Sequence, residues 1–104
     1  MRIRVNYSGF LSATFHRSSE DLHLSNKAKL RDLLLRLGER YRDKLEVHNV
    51  DQAEAMVKSE GVEEGSLVVL LNVNGIPSLR LQGLETELKD GDVVDVMPMF
   101  SGGG

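Results

Sequence analysis

The sequence closes on Gly102-Gly103-Gly104 after Met99-Phe100-Ser101, and its chemistry is that of a carboxyl group carried on a slim strand. Glycine has no Cβ, so such a run fits a narrow channel and adopts backbone angles closed to other residues. Six extended residues from Met99 to Gly104 reach roughly 20 Å at about 3.3–3.6 Å each. That is enough to leave a folded body and enter another protein's site. A carboxylate is a poor electrophile because its leaving group would be oxide, so it must first be activated. No other residues offer comparable chemistry. His16, His23 and His48 have no ligand spacing, so no metal site is expected. Glu63-Glu64 and Asp90/Asp92 fall in predicted turns, and no nucleophile–base arrangement is visible. The three glycines are no phosphate cradle, since no helix follows them.

The chain has 104 residues and no cysteine, which excludes thiol catalysis, iron–sulfur ligation and disulfides. Its length suits one domain, and 40% hydrophobic residues suit a folded one. A net charge of −3 gives no reason to expect nucleic acid or an anionic membrane as partner. A basic protein surface fits better. Met1-Arg-Ile-Arg-Val does not read as a signal peptide, and the longest apolar run, Leu67 to Leu71, is too short for a membrane span. The expectation is a soluble cytoplasmic protein.

The elements that must position the tail follow from periodicity. Ile3, Val5 and Tyr7 alternate with polar residues as in a strand, and Leu22 and Leu24 repeat this after a loose connection over Ser8 to Ser19. Ala28, Leu30, Leu33, Leu34, Leu37 and Tyr41 lie on one helical stripe, with Ser25 or Asn26 as candidate cap. Val50, Ala53, Met56 and Val57 suggest a short second helix between Lys44 and Gly65. Ser66 to Val73 reads as a central strand covered on two sides, and Asn74-Gly75 as a type I′ turn. Leu79 and Leu81 are placed on the returning strand, with Pro77 at an edge. Val93 to Met97 forms the last strand, stopped by Pro98. The predicted class is α+β, a mixed sheet packed on one main helix, with residues 1–98 as the domain and 99–104 as a flexible tail.

The strand–strand–helix–strands order, the Asp90-Gly91-Asp92 turn into an apolar strand, and the ending Phe100-Ser-Gly-Gly-Gly resemble the ubiquitin-like β-grasp sulfur carriers. The likeness is greatest to the small subunit of molybdopterin synthase, the thiamine sulfur carriers and their archaeal modifier relatives. It implies that an ATP-dependent, E1-like adenylating enzyme converts the Gly104 carboxyl to an acyl-adenylate, with no cofactor bound by the chain itself. A sulfur donor then yields a thiocarboxylate for molybdenum cofactor synthesis, beside the synthase large subunit. Alternatively, a substrate lysine yields an amide, as in a protein modifier. Such a chain is a carrier and co-substrate, not an enzyme. The family commonly ends in two glycines and is shorter than this chain. Either Gly104 is the working terminus with Gly102 as spacer, or trimming exposes Gly103.

Partner contacts are expected from Gly102, Gly103, Phe100, Met99 and Met97, with Phe100 seating the tail root in a partner pocket. Val68 and Leu70 alternate with Leu67, Val69, Leu71 and Val73, so only one set can face the helix. The other set forms an exposed docking patch with Met97, Met99 and Phe100, or is covered by residues 44–65. Arg2, Arg4 and Arg80 read as a solvated face. A passive β-grasp interaction domain stands as the reading without tail chemistry.

Overall fold

The alternation of Ile3, Val5 and Tyr7 produces the strand it predicts, β1 (Arg2–Tyr7), with those three side chains buried. The structure is a computed structural model and describes residues 1–59 and 62–100. β1 pairs antiparallel with β2 (Ser19–His23) and parallel with β7 (Val93–Phe100). On the other side of β7 lies β5 (Val62–Val73), followed by β4 (Glu54–Ser59) and β3 (Leu45–Asn49) at the edge. The order is therefore β2-β1-β7-β5-β4-β3, with the short β6 (Ile76–Pro77) paired to β5. The main helix, α2 (Leu30–Arg40), buries Leu30, Leu33, Leu34 and Leu37 in one core with the inward residues of the sheet. This is the predicted mixed sheet on one helix. Gly38 sits inside α2 because the helix passes close to β3: a Cβ there would lie 3.1 Å from Val47 Cγ2.

Several local expectations give way to longer-range pairing. The segment read as a loose connection contains a short helix, α1 (Phe10–Phe15), which buries Leu11 and Phe15. Two apolar anchors in six residues are too few for a periodicity to register. Neither Ser25 nor Asn26 caps α2. Lys27 turns left-handed at φ 68, Lys29 bridges to Glu87, and the Leu30 amide donates to Thr86 O. The helix therefore begins at Leu30, with Asp32 accepting from the Lys29 amide at 2.8 Å.

Among the described residues from Lys44 to Gly65, the proposed second helix does not form. The residues form β3, one 3-10 turn (Val50–Gln52) and β4, which put Leu45, Ala55 and Val57 into the core. β4 owes its identity to the neighbouring β5 and β3 to β4, since burial of one face outweighs a weak helical spacing. Glu63 and Glu64, read as a turn, belong to β5. Asn74 and Gly75 do take positive φ, at 52 and 83. The return strand is only two residues long, however. Leu79 sits in a 3-10 turn (Ser78–Arg80) and is 89% exposed, and Leu81 follows that turn. Arg80 in the same turn is remote in topology from Arg4, which pairs with Asp21 at 2.8 Å.

Candidate functional site

β7 delivers the tail, and Pro98 does not stop it. Pro98 pairs with Val69, Met99 with Val68 and Phe100 with Leu67, so the strand continues to Phe100. The reason lies in strand parity. The Val96 carbonyl accepts from the Ser8 amide at 3.1 Å, so even-numbered residues of β7 point their backbone groups towards β1. Position 98 faces that same edge just past the end of β1, where a proline leaves no donor unpaired. The root of the tail is thus a strand held on one side by β5. Gly102, Gly103 and Gly104 lie outside the described residues.

Beside the root, the sheet face opposite α2 carries an apolar patch. Leu67, Val69, Leu71 and Val73 are the set that enters the core. The alternate set, Val68 and Leu70, is half-buried on the outer face, where Val68 is opposite Met99 and Leu70 opposite Met97. Residues 44–59 extend the sheet sideways as β3 and β4 and do not cover this face. Of the two arrangements the sequence allowed, the uncovered patch is the one formed. Met99 is 53% exposed, and Met56 lies on the same face of β4. Around the patch stand Asp95, which accepts from Asn6 at 3.0 Å, and Glu54, opposite Val68. The same face also carries Arg4, paired with Asp21, and Lys58, near Glu46, so the surroundings of the patch are mixed in charge.

The Asp90-Gly91-Asp92 turn works as a clasp. The Arg2 amide donates to Asp90 Oδ1 at 2.7 Å, and the Gly91 amide donates back to Arg2 O. Asp92 accepts from the Lys89 amide and from Asn74 Nδ2, at 2.8 and 3.0 Å. Gly91, at φ 87, supplies a conformation that side chains resist. The turn ties the start of β7 to β1 and to the β5–β6 hairpin. It orients the strand that ends in the tail and does no chemistry itself.

Sequence reasoning missed a buried polar cluster at the other end of β1. Glu20 is inward-facing on β2 and accepts from Tyr7 Oη at 2.5 Å and from Tyr41 Oη. Arg17 and Arg40 pair with its second oxygen at 3.0 and 2.8 Å. Burial would raise the Glu20 pKa, but the hydrogen bonds from Tyr41, Tyr7 and Arg40 outweigh it and hold the carboxyl below its ordinary value. Burial and the adjacent carboxylate push both tyrosines upward. Phe15 stacks on Tyr41 with ring centres 3.9 Å apart and meets Tyr7 edge-on at 5.0 Å. The cluster therefore joins α1, β1, β2 and the end of α2. The one sequence signal for it was a glutamate at an inward strand position, which alternation alone does not distinguish from a strand end.

Comparison with known proteins agrees with this geometry. The profile of the ThiS family matches residues 5–103. The chain belongs to the ThiS family. Its fold is the ubiquitin-like β-grasp that the sequence resembles, and solved structures share it. The Haloferax volcanii HVO 2177 protein superposes with a TM-score of 0.68 at 22% identity, covering 99% of this chain and 87% of that one. Small archaeal modifier protein 1 from Methanosarcina acetivorans gives 0.66 at 24% identity, covering 98% and 96%. A Pyrococcus furiosus protein described as molybdopterin converting factor, subunit 1, gives 0.60 at 23%, covering 95% and 98%. No curated protein matches the sequence. As in its ThiS-family assignment, the chain reads as a small ubiquitin-like carrier. Among the described residues, no helix is long and apolar enough to cross a membrane.

Proposed function

We propose that this ThiS-family protein carries sulfur on its C-terminal glycine as a thiocarboxylate and supplies it to molybdenum cofactor synthesis. The observation that carries this reading is the run of β7 past the end of β1 to Phe100, directly before Ser101 and three glycines. A partner adenylating enzyme uses ATP to convert the Gly104 carboxylate into an acyl-adenylate, releasing pyrophosphate. A sulfur donor then attacks the carbonyl carbon and AMP leaves. The body contributes docking through Val68, Leu70, Met97 and Met99, with Phe100 at the root of the tail. The client is the large subunit of molybdopterin synthase, for which this chain is the non-catalytic partner, working in the cytoplasm. Likeness to a molybdopterin converting factor supports that assignment.

Likeness to a small archaeal modifier protein supports a second use of the same tail, in which a substrate lysine displaces AMP to form an amide. Intact mass spectrometry after incubation with ATP, the adenylating enzyme and a sulfur source tests the proposal. The expected result is replacement of one oxygen by one sulfur, lost completely on deletion of Gly103-Gly104. No mass change with an enzyme active on its own carrier would sink it, and lysine conjugates would then point to the modifier.

A further inference from the structure

We propose that the β1–α1 loop positions the tail: Gly9, packed against Pro98, fixes the direction in which β7 leaves the body. The inference rests on the tail-chemistry reading for its purpose, while its structural half stands alone. Beyond Val96, β7 has a partner on one side only, since β1 has ended. A strand paired along a single edge can twist or peel. Here the open edge meets the β1–α1 loop instead. Ser8 donates to the Val96 carbonyl through its amide at 3.1 Å, and its hydroxyl lies 3.4 Å from the same oxygen. The next residue, Gly9, brings backbone so near that a Cβ on it would stand 3.2 Å from Pro98 Cγ and 3.4 Å from Cδ.

Gly9 is also held at φ 61 and ψ −147, a region essentially reserved for glycine. Conformation and space therefore both demand glycine at this one position. The loop itself is anchored. Leu11 and Phe15 of α1 are buried, and Phe15 is gripped between Tyr7 and Tyr41 above the Glu20 cluster. Pro98 answers with a rigid ring that presents no donor to the loop. The two residues form a stop backed by the core.

The exit angle of β7 explains why such a stop matters, since it sets where Met99 and Phe100 start the tail on its way into a partner's site. Misplacement by about 1 Å can cost a reaction up to 100-fold. Gly9 and Pro98 are thus positioning residues: neither touches the reacting atoms.

The test uses the full chain as Gly9→Ala, Pro98→Ala and the double variant. Turnover is read by ATP–pyrophosphate exchange with the adenylating enzyme, and the root by amide hydrogen exchange at Met99, whose N–H faces β5. Pro98→Ala carries no backbone strain and keeps the test decisive if Gly9→Ala folds poorly. The expected result is a fall in kcat of roughly tenfold with a smaller rise in KM, because Val68, Leu70 and Met97 keep their places and only Met99 of the docking patch loosens. Met99 exchange should quicken while Val69 and Leu34 keep their protection, and the double variant should be no worse than the worse single. Wild-type kcat in both single variants would overturn the inference, as would a loss matched by equal loosening at Val69 and Leu34. If the wild-type chain itself supports no pyrophosphate exchange, it is the tail-chemistry reading that fails. Unchanged Met99 protection would then still overturn the positioning role, and faster exchange would uphold it.

Discussion

Glu20→Ala is expected to lower the melting temperature by about 8–32 °C, a large loss for a single polar substitution. The figure follows from about 2–4 kcal/mol for removing one member of a buried, fully hydrogen-bonded ion cluster, at about 4–8 °C per kcal/mol for a domain of this size. The loss is large because four partners are stranded together. Tyr7 has its hydroxyl in the core, and Tyr41, Arg17 and Arg40 were all oriented by the same carboxylate. Thermal unfolding followed by circular dichroism measures it, and a shift below about 5 °C would show the cluster to be dispensable. The two arginines are partly exposed and recover some hydration, which is why the estimate stops short of the cost of an isolated buried charge.

The same carboxylate sets a pH dependence whose sign is fixed. Its folded pKa lies below the ordinary value of 4.5, so its contribution is complete above that pH. The contribution is lost as pH falls below 4.5 and through the folded value. Tyr7 and Tyr41 behave oppositely: their raised pKa values keep their contribution intact below the ordinary 10.0, and it is lost as pH rises beyond it. The stability gap between wild type and Glu20→Ala should therefore be widest between about pH 5 and 9 and close on both sides. A gap that stayed constant down to pH 3 would contradict the assignment.

The second large effect is expected at the docking patch. Replacing Leu70 and Met97 together by threonine should weaken binding to the adenylating enzyme by about 10–100-fold, or about 1.4–2.8 kcal/mol. The two side chains face each other across β5 and β7 on the side away from α2, at the centre of the patch. Threonine keeps the strand propensity, so the melting temperature should move by only a few degrees. Isothermal calorimetry with the enzyme gives the affinity. Unaltered binding with the fold intact would mean that partners meet some other face.

Much of this architecture was legible in the residues alone. The Ile3-Val5-Tyr7 alternation, the Leu30-Leu33-Leu34-Leu37 stripe, the strand from Ser66 to Val73 and the Asn74-Gly75 turn each express a local preference that the core then rewards. The resemblance of the Asp90-Gly91-Asp92 turn and the glycine ending to the sulfur carriers likewise needed no coordinates, and the ThiS-family match agrees with it. Where the sequence left two arrangements open, for the outer face of β5, local rules had nothing to decide with. Whether residues 44–59 cover that face or widen the sheet depends on which edges pair, β4 with β5 and β3 with β4, and neither segment carries a strong alternation of its own. α1 escaped notice because it gains its stability from Tyr7 and Tyr41, not from its own six residues. Pro98 misled for a related reason. A proline ends a strand only if its missing N–H is needed, and that depends on where β1 happens to stop. The sequence by itself determined the fold class and the family resemblance. The tertiary structure decided which apolar residues stay exposed, what buries Glu20, and how the root of the tail is held. Those depend on contacts between segments far apart in the chain, which no local pattern encodes.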